Sequence, residues 1–289
     1  RVRVVPGIGP PAGCHALEII GRTSGVHDSA AARAVFEQAL HHAEEAGLPV
    51  WRLRALHQIG TIDMFERCGR RRLEEARRVA RDIGAVSTVA ELGLQLCAVD
   101  HGRFDLDRAL ANAGEAYELA DRLGLTEVRH KALLFLSAVH ALRGEWEQAR
   151  AYHDRSMTGR RHDPYTLAFG LGGFGLGEFL DGRWDAARRH LSEAVALLDP
   201  LPGAEPATFR AAWPLLLAVG RDERAPAATA DALRRGVAVF GVNRGLLGYA
   251  DAVVRGGAGD ASGADAAARA ADAHFANAEL WQHVARATP

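Results

Sequence analysis

The stretch Gly170-Leu171-Gly172-Gly173-Phe174-Gly175 has the spacing G-x-G-x-x-G, in which glycines let backbone N–H groups close on a dinucleotide pyrophosphate. That chemistry needs a strand before the motif, a helix after it and an acid about 20 residues further on. Tyr165-Thr166-Leu167-Ala168-Phe169 offers a short strand, but its surroundings have helical spacing and Gly177 continues the glycine run. The expectation is therefore a helix made thin by glycine, so that its neighbours approach closely. His41, His42 and Glu45 would share one helix and could hold a metal ion, but no third convergent ligand is visible, and a solvated helix face is the expected role. The densest basic patch is Arg67, Arg70, Arg71, Arg72, Arg77, Arg78 and Arg81. Glu74, Glu75 and Asp82 interleave with it at helical spacing, so local pairing on an exposed helix competes with phosphate or partner binding.

Other chemistries fail on missing residue types. A phosphate loop, G-x-x-x-x-G-K-[ST], requires a lysine, and the only lysine of the chain is Lys131. Neither H-E-x-x-H nor G-x-S-x-G occurs. No paired acid, nucleophile or metal set emerges, so no enzymatic activity, cofactor or metal is expected.

The elements carrying these residues repeat. Gly60, Gly69 and Ala76 recur as Gly93, Gly102 and Ala109, a shift of 33 residues. The apolar Leu53, Leu56, Ile59, Met64 and Leu73 return as Val86, Val89, Leu92, Cys97 and Leu106. A period of about 33–34 residues with helical spacing inside it is the tetratricopeptide signature. Ala32, Phe36 and Ala39 carry the spacing of a closely nested second helix. Gly144-Glu145-Trp146-Glu147-Gln148-Ala149 and Gly182-Arg183-Trp184-Asp185-Ala186-Ala187 share the pattern Gly-x-Trp-x-x-Ala. There the glycine closes one helix in a left-handed cap, the aromatic fills the turn and the alanine opens the next helix. Gly69, Gly102, Gly144, Gly182 and Gly220 are all expected in such turns. Pro214 and Pro226 interrupt the sixth repeat, and the loop at Gly256-Gly257-Ala258-Gly259-Asp260 makes the seventh the least regular.

These signals predict an all-α, tetratricopeptide-like right-handed superhelix (an α-solenoid) of about seven helix pairs. Residues 1–13 form an irregular entry and residues 14–289 one solenoid that stops inside its last repeat, as a piece of a longer protein would. A net charge of −1 supplies no global field for nucleic acid or an anionic membrane, and no apolar run approaches membrane-spanning length. Cys14, Cys68 and Cys97 lack metal or redox spacing and read as reduced thiols of a cytoplasmic protein.

Tetratricopeptide arrays turn the first helix of each pair toward their concave side, and residues there recur at spacings of three and four. That phase selects Arg54, His57, Thr61 and Met64, then Ala90, Leu94 and Cys97, and further along Leu134 and Phe169. The expectation is a cationic, histidine-bearing end opening onto an apolar floor, suited to a peptide, a protein or a carboxylate-bearing small molecule in the concave groove. Ordinary interhelical packing would give the same periodicity.

The segment from Pro49 to Asp63, preceded by Phe36-Glu37-Gln38-Ala39-Leu40 and Glu44-Glu45-Ala46-Gly47-Leu48, resembles the helical region of large ATP-binding LuxR-type transcriptional regulators. These relatives of the maltose regulator abound in actinobacteria, and the arginine-rich composition fits a GC-rich source. The resemblance is strongest over residues 28–125, and Trp281-Gln282-His283-Val284-Ala285-Arg286 looks like the family's last helical stretch before its DNA-binding module. It implies a sensor arm between an ATPase and a helix-turn-helix, neither of which this chain carries. ATP and DNA binding are therefore not carried onto any residue here; effector or partner recognition, and control of those two modules, is. A stand-alone scaffold binding a peptide in its groove is the alternative.

Overall fold

The computed structural model describes residues 9–24, 28–158, 164–200, 208–235 and 241–274. Among them lie fourteen α-helices and no strand. The first eight are α1 (Pro10–Ser24), α2 (Ser29–Glu45), α3 (Pro49–Arg67), α4 (Arg71–Asp82), α5 (Val86–Gly102), α6 (Leu106–Leu123), α7 (Thr126–Leu142) and α8 (Trp146–Met157). They are followed by α9 (Pro164–Leu180), α10 (Trp184–Leu198), α11 (Thr208–Val219), α12 (Ala225–Arg234), α13 (Gly241–Gly257) and α14 (Ala261–Asp272). The chain is all-α.

Small residues set how closely these helices nest. Ala109, Ala113, Ala116 and Ala120 form one stripe of α6, each essentially inaccessible. Their spacing of three and four keeps them on one face, and methyl side chains let the next backbone approach. Apart from α8 and α9, each helix packs against its neighbours in sequence, and the odd-numbered helices also touch one another, from α1 on α3 to α11 on α13. Around α9, α7 rather than α8 is the main preceding neighbour.

Turn closure recurs with a period that the 33-residue match does not have. Cys68, Phe104, Gly144, Gly182, Arg221 and Gly259 take left-handed conformations after α3, α5, α7, α9, α11 and α13, spaced 36 to 40 residues apart. The next N–H then caps a carbonyl of the last turn, as Asp105 does to Asp100 at 2.9 Å and Arg183 to Glu178 at 2.8 Å. Of the five glycines expected at these turns, Gly144 and Gly182 hold the left-handed position. Gly102 instead ends α5, and at the first, second and fifth turns Cys68, Phe104 and Arg221 take the conformation in place of Gly69, Gly102 and Gly220. At Phe104 the cost of about 1–2 kcal/mol is offset by a ring only 1% exposed, since burying such a side chain stabilises by about 1.5–3 kcal/mol. Gly60 precedes its left-handed residue by eight positions and Gly93 by eleven. The sequence match is thus slipped by three residues, close to one helical turn, which leaves the buried face nearly unchanged.

Polar bridges recur across an interval between that of the sequence match and that of the turns. Arg33 meets Glu66, Arg54 meets Glu18, Arg77 meets Asn112, Arg81 meets Glu115, Trp146 meets Asp181 and Arg188 meets Asp222, all between partners 33 to 36 residues apart.

Several expectations change. α1 begins at Pro10, four residues before Cys14, because prolines fit a first turn whose N–H groups lack intrahelical partners. Pro226 likewise sits at the start of α12, and Pro214 lies within α11 without ending it. The turn at Gly259 is regular, with Asp260 accepting from the N–H of Gly263 at 2.9 Å. Trp146 and Trp184 open α8 and α10 and are half-buried rather than filling a turn. Residues 1–8 and the helix expected at 279–286 lie outside the described residues.

Candidate functional site

The glycine motif has no phosphate-binding geometry. Residues 165–177 all lie inside α9, and the proposed strand is its first turns. A Cβ at Gly172 would stand 2.3 Å from Phe209, at Gly173 2.7 Å from Ala138, and at Gly175 2.7 Å from Leu191. At Gly177 it would stand 2.8 Å from the backbone of Ala141. The run thins α9 so that α7, α10 and α11 all seat against it.

His41 reaches Glu45 at 3.2 Å with both side chains well exposed, and among the described residues no group of three His, Cys, Asp or Glu could hold a metal ion. The basic run is largely committed to acids. Arg70 pairs with Glu74 and Asp100, Arg72 with Glu75, and Arg77 and Arg81 with Glu115. No helix among the described residues is long and apolar enough to cross a membrane.

The predicted binding residues divide into two groups. Met64, Ala90, Leu94, Cys97 and Leu134 are all buried at 9% exposure or less, as interior contacts of the first helices. Leu94 packs with Ala116 and Ala132 of α6 and α7. Phe169 is half-buried, edge-on to Phe209 at 5.5 Å and 4.5 Å from Tyr165. α13 also touches α5. Packing therefore absorbs most of the expected apolar floor. Helical phase marks the face a residue is on, and neighbouring helices decide whether that face sees solvent.

The second group is polar and sits at the amino-terminal end. Arg54 lies 2.9 Å from the buried carboxylate of Glu18, with its guanidinium 4.9 Å from the ring centre of Trp51. His57 is pushed below its ordinary pKa, chiefly by burial and further by Arg22, while Glu91 and Gln95 act in the opposite direction. It is therefore the neutral imidazole at physiological pH. Thr61 donates to the carbonyl of His57 at 2.9 Å and accepts from the amide of Gln95 at 3.2 Å. The structure thus brings together Arg54, His57 and Thr61 and joins to them Glu18, Trp51, Gln95 and Arg22.

Glu18 was missed because a 33-residue register does not set it opposite Arg54. Trp51 stands three residues from Arg54 on the same helix, where helical spacing alone would have found it. Glu18 and Arg54 lie 36 residues apart, within the spacing of the turns, and an acid–base search at that interval would have paired them. Beside the cluster a groove of about 400 Å³ opens between α1, α2 and α3. Its described walls include Arg22, Ser29, Phe36, Gln58 and Ile62.

The arrangement can neutralise an anion and orient a polar group. It contains no nucleophile activated by a base. No family model matches the chain, and no curated protein matches it either.

Proposed function

We propose that the chain is the regulatory arm of a multidomain LuxR-type transcriptional regulator. In this reading it is a tetratricopeptide-like right-handed superhelix of about seven helix pairs, working in the cytoplasm. It recognises an effector or partner protein and passes the result to flanking ATPase and DNA-binding modules, with no chemistry of its own. The observation that carries this reading is the repeated polar bridge across 33 to 36 residues, as between Arg33 and Glu66 or Arg188 and Asp222. Each bridge ties one helix pair to the next, so a ligand seated between pairs would alter their relative tilt along the array. Such a ligand controls an output only if it binds two arm conformations with different affinity.

Reading the gene on both sides of the chain tests the proposal. A nucleotide-binding segment upstream and a helix-turn-helix downstream are expected, together with transcription that responds to substitutions in the arm. A gene bounded by this chain alone, or one flanked by unrelated modules, would overturn it.

A further inference from the structure

Two arginines answer one buried carboxylate at the amino-terminal end. Glu18, 6% exposed, is held by Arg54 at 2.9 Å, and Arg22 approaches the same group at 3.3 Å. The trio carries one surplus positive charge. It resides on Arg22, whose side chain is 60% exposed and whose carboxylate partner is already neutralised from the other side.

Arg22 also forms one wall of the groove between α1, α2 and α3. Phe36 and Ile62 line the same groove, with the amide of Gln58 and the hydroxyl of Ser29 as polar points. Gly21 makes the recess possible. A Cβ there would meet the ring of Phe36 at 2.6 Å, so only glycine lets the ring sit under α1. A volume of about 400 Å³ is near the lower end of ligand pockets, roughly 300–1,000 Å³.

The surrounding charges narrow the class of ligand. A cation would meet Arg22. A dianion such as phosphate would find one guanidinium and, behind Ser29 of the groove lining, the carboxylate of Glu66, to which Ser29 donates at 2.7 Å. Asp63 and Glu66 are themselves held by Arg33 at 2.8 and 2.9 Å. One guanidinium, one amide and an apolar wall suit a single carboxylate on a compact apolar body.

We propose that this groove binds a small organic monocarboxylate, its carboxylate on Arg22 and Gln58 and its apolar body against Phe36 and Ile62. The site goes beyond the regulatory-arm reading, and its failure would leave that reading standing, since the gene's flanks decide the latter. Phenylacetate and hexanoate are the probes, titrated into the whole chain by calorimetry, with phenylacetamide and phenethylamine as neutral and cationic controls. Phenylacetate should bind at least tenfold more tightly than its amide, and phenethylamine should give no heat. Arg22→Gln should weaken phenylacetate tenfold or more, and Ile62→Trp should abolish binding by filling the groove. Both variants are checked against the parent's melting curve, and Arg22→Lys, which keeps the charge, should restore part of the affinity. Failure of both carboxylates at millimolar concentration, undiminished binding to Arg22→Gln, or preference for phenethylamine would each overturn the proposal.

Discussion

Arg70, the residue before α4, places its guanidinium 2.6 Å from the carboxylate of Asp100 in α5, whose side chain is wholly buried. Asn112 of α6 donates to the other carboxylate oxygen at 2.8 Å, and Arg77 of α4 donates to the Asn112 carbonyl at 2.7 Å. Burial raises the Asp100 carboxyl, while Arg70 and Asn112 draw it back down. Arg70 and Arg77 of the arginine-rich segment thus fasten three helices together, and their charge is met by partners within the protein.

Removing one partner of that pair leaves a buried charge uncompensated. Arg70→Leu should cost about 3–5 kcal/mol in urea denaturation. Adding Asp100→Leu should recover part of the loss, because no charge then stays buried, although the Asn112 amide loses its acceptor. A single variant as stable as the parent would show that Asp100 is solvated or otherwise paired.

Two glycines should respond oppositely to alanine. Gly177 would bring a Cβ within 2.8 Å of the Ala141 backbone, so Gly177→Ala must push α7 and α9 apart and should destabilise by about 1–3 kcal/mol. Gly114, inside α6, has open space around it, and Gly114→Ala should stabilise by about 0.4–1 kcal/mol through the unfolded chain. Paired melting curves check the sign of each.

Trp146 is fastened to the following helix pair. Its indole N–H donates to Asp181 at 3.1 Å, and the Arg183 guanidinium lies 3.5 Å from its ring centre. Since the ring is half-buried, Trp146→Ala should cost about 2 kcal/mol, below the 3–5 kcal/mol of a fully enclosed aromatic. Trp146→Phe should retain more than half of that, losing chiefly the hydrogen bond. Equal loss in both variants would place the energy in the N–H rather than the ring face.

Acidification should weaken the fold through His101 of α5, which burial pushes down to about 4. Between the unfolded value near 6.5 and about 4, the unfolded chain takes up a proton that the folded chain refuses. Stability therefore falls as pH drops across that window and levels off below it, by roughly 3 kcal/mol in total. His101→Gln should flatten the slope between pH 6.5 and 4 in denaturant titrations. A slope unchanged by this substitution would assign the acid sensitivity to other groups.

The helical class, the closely nested alanine faces and the failure of the glycine motif as a nucleotide site were legible in the sequence. Each depends on contacts within a turn or between adjacent helices, and a spacing of three and four records those directly. Ala32, Phe36 and Ala39 in α2 are such a case, all buried as their spacing implied. The repeat length was misread by about one helical turn, because a slip of three residues returns nearly the same apolar face. The turn conformations at Cys68, Phe104 and Arg221 extend through the chain the longer period that the 38-residue spacing of Gly144 and Gly182 already carried in the sequence.

Exposure was decided by tertiary packing alone. Arg54, Met64 and Leu94 share one helical phase, yet Arg54 reaches solvent while Met64 and Leu94 lie under neighbouring helices. Residue type and phase settle which side of a helix faces inward. Whether that side meets water, a carboxylate 36 residues away or another helix depends on where the chain returns, and local spacing carries no record of that distance.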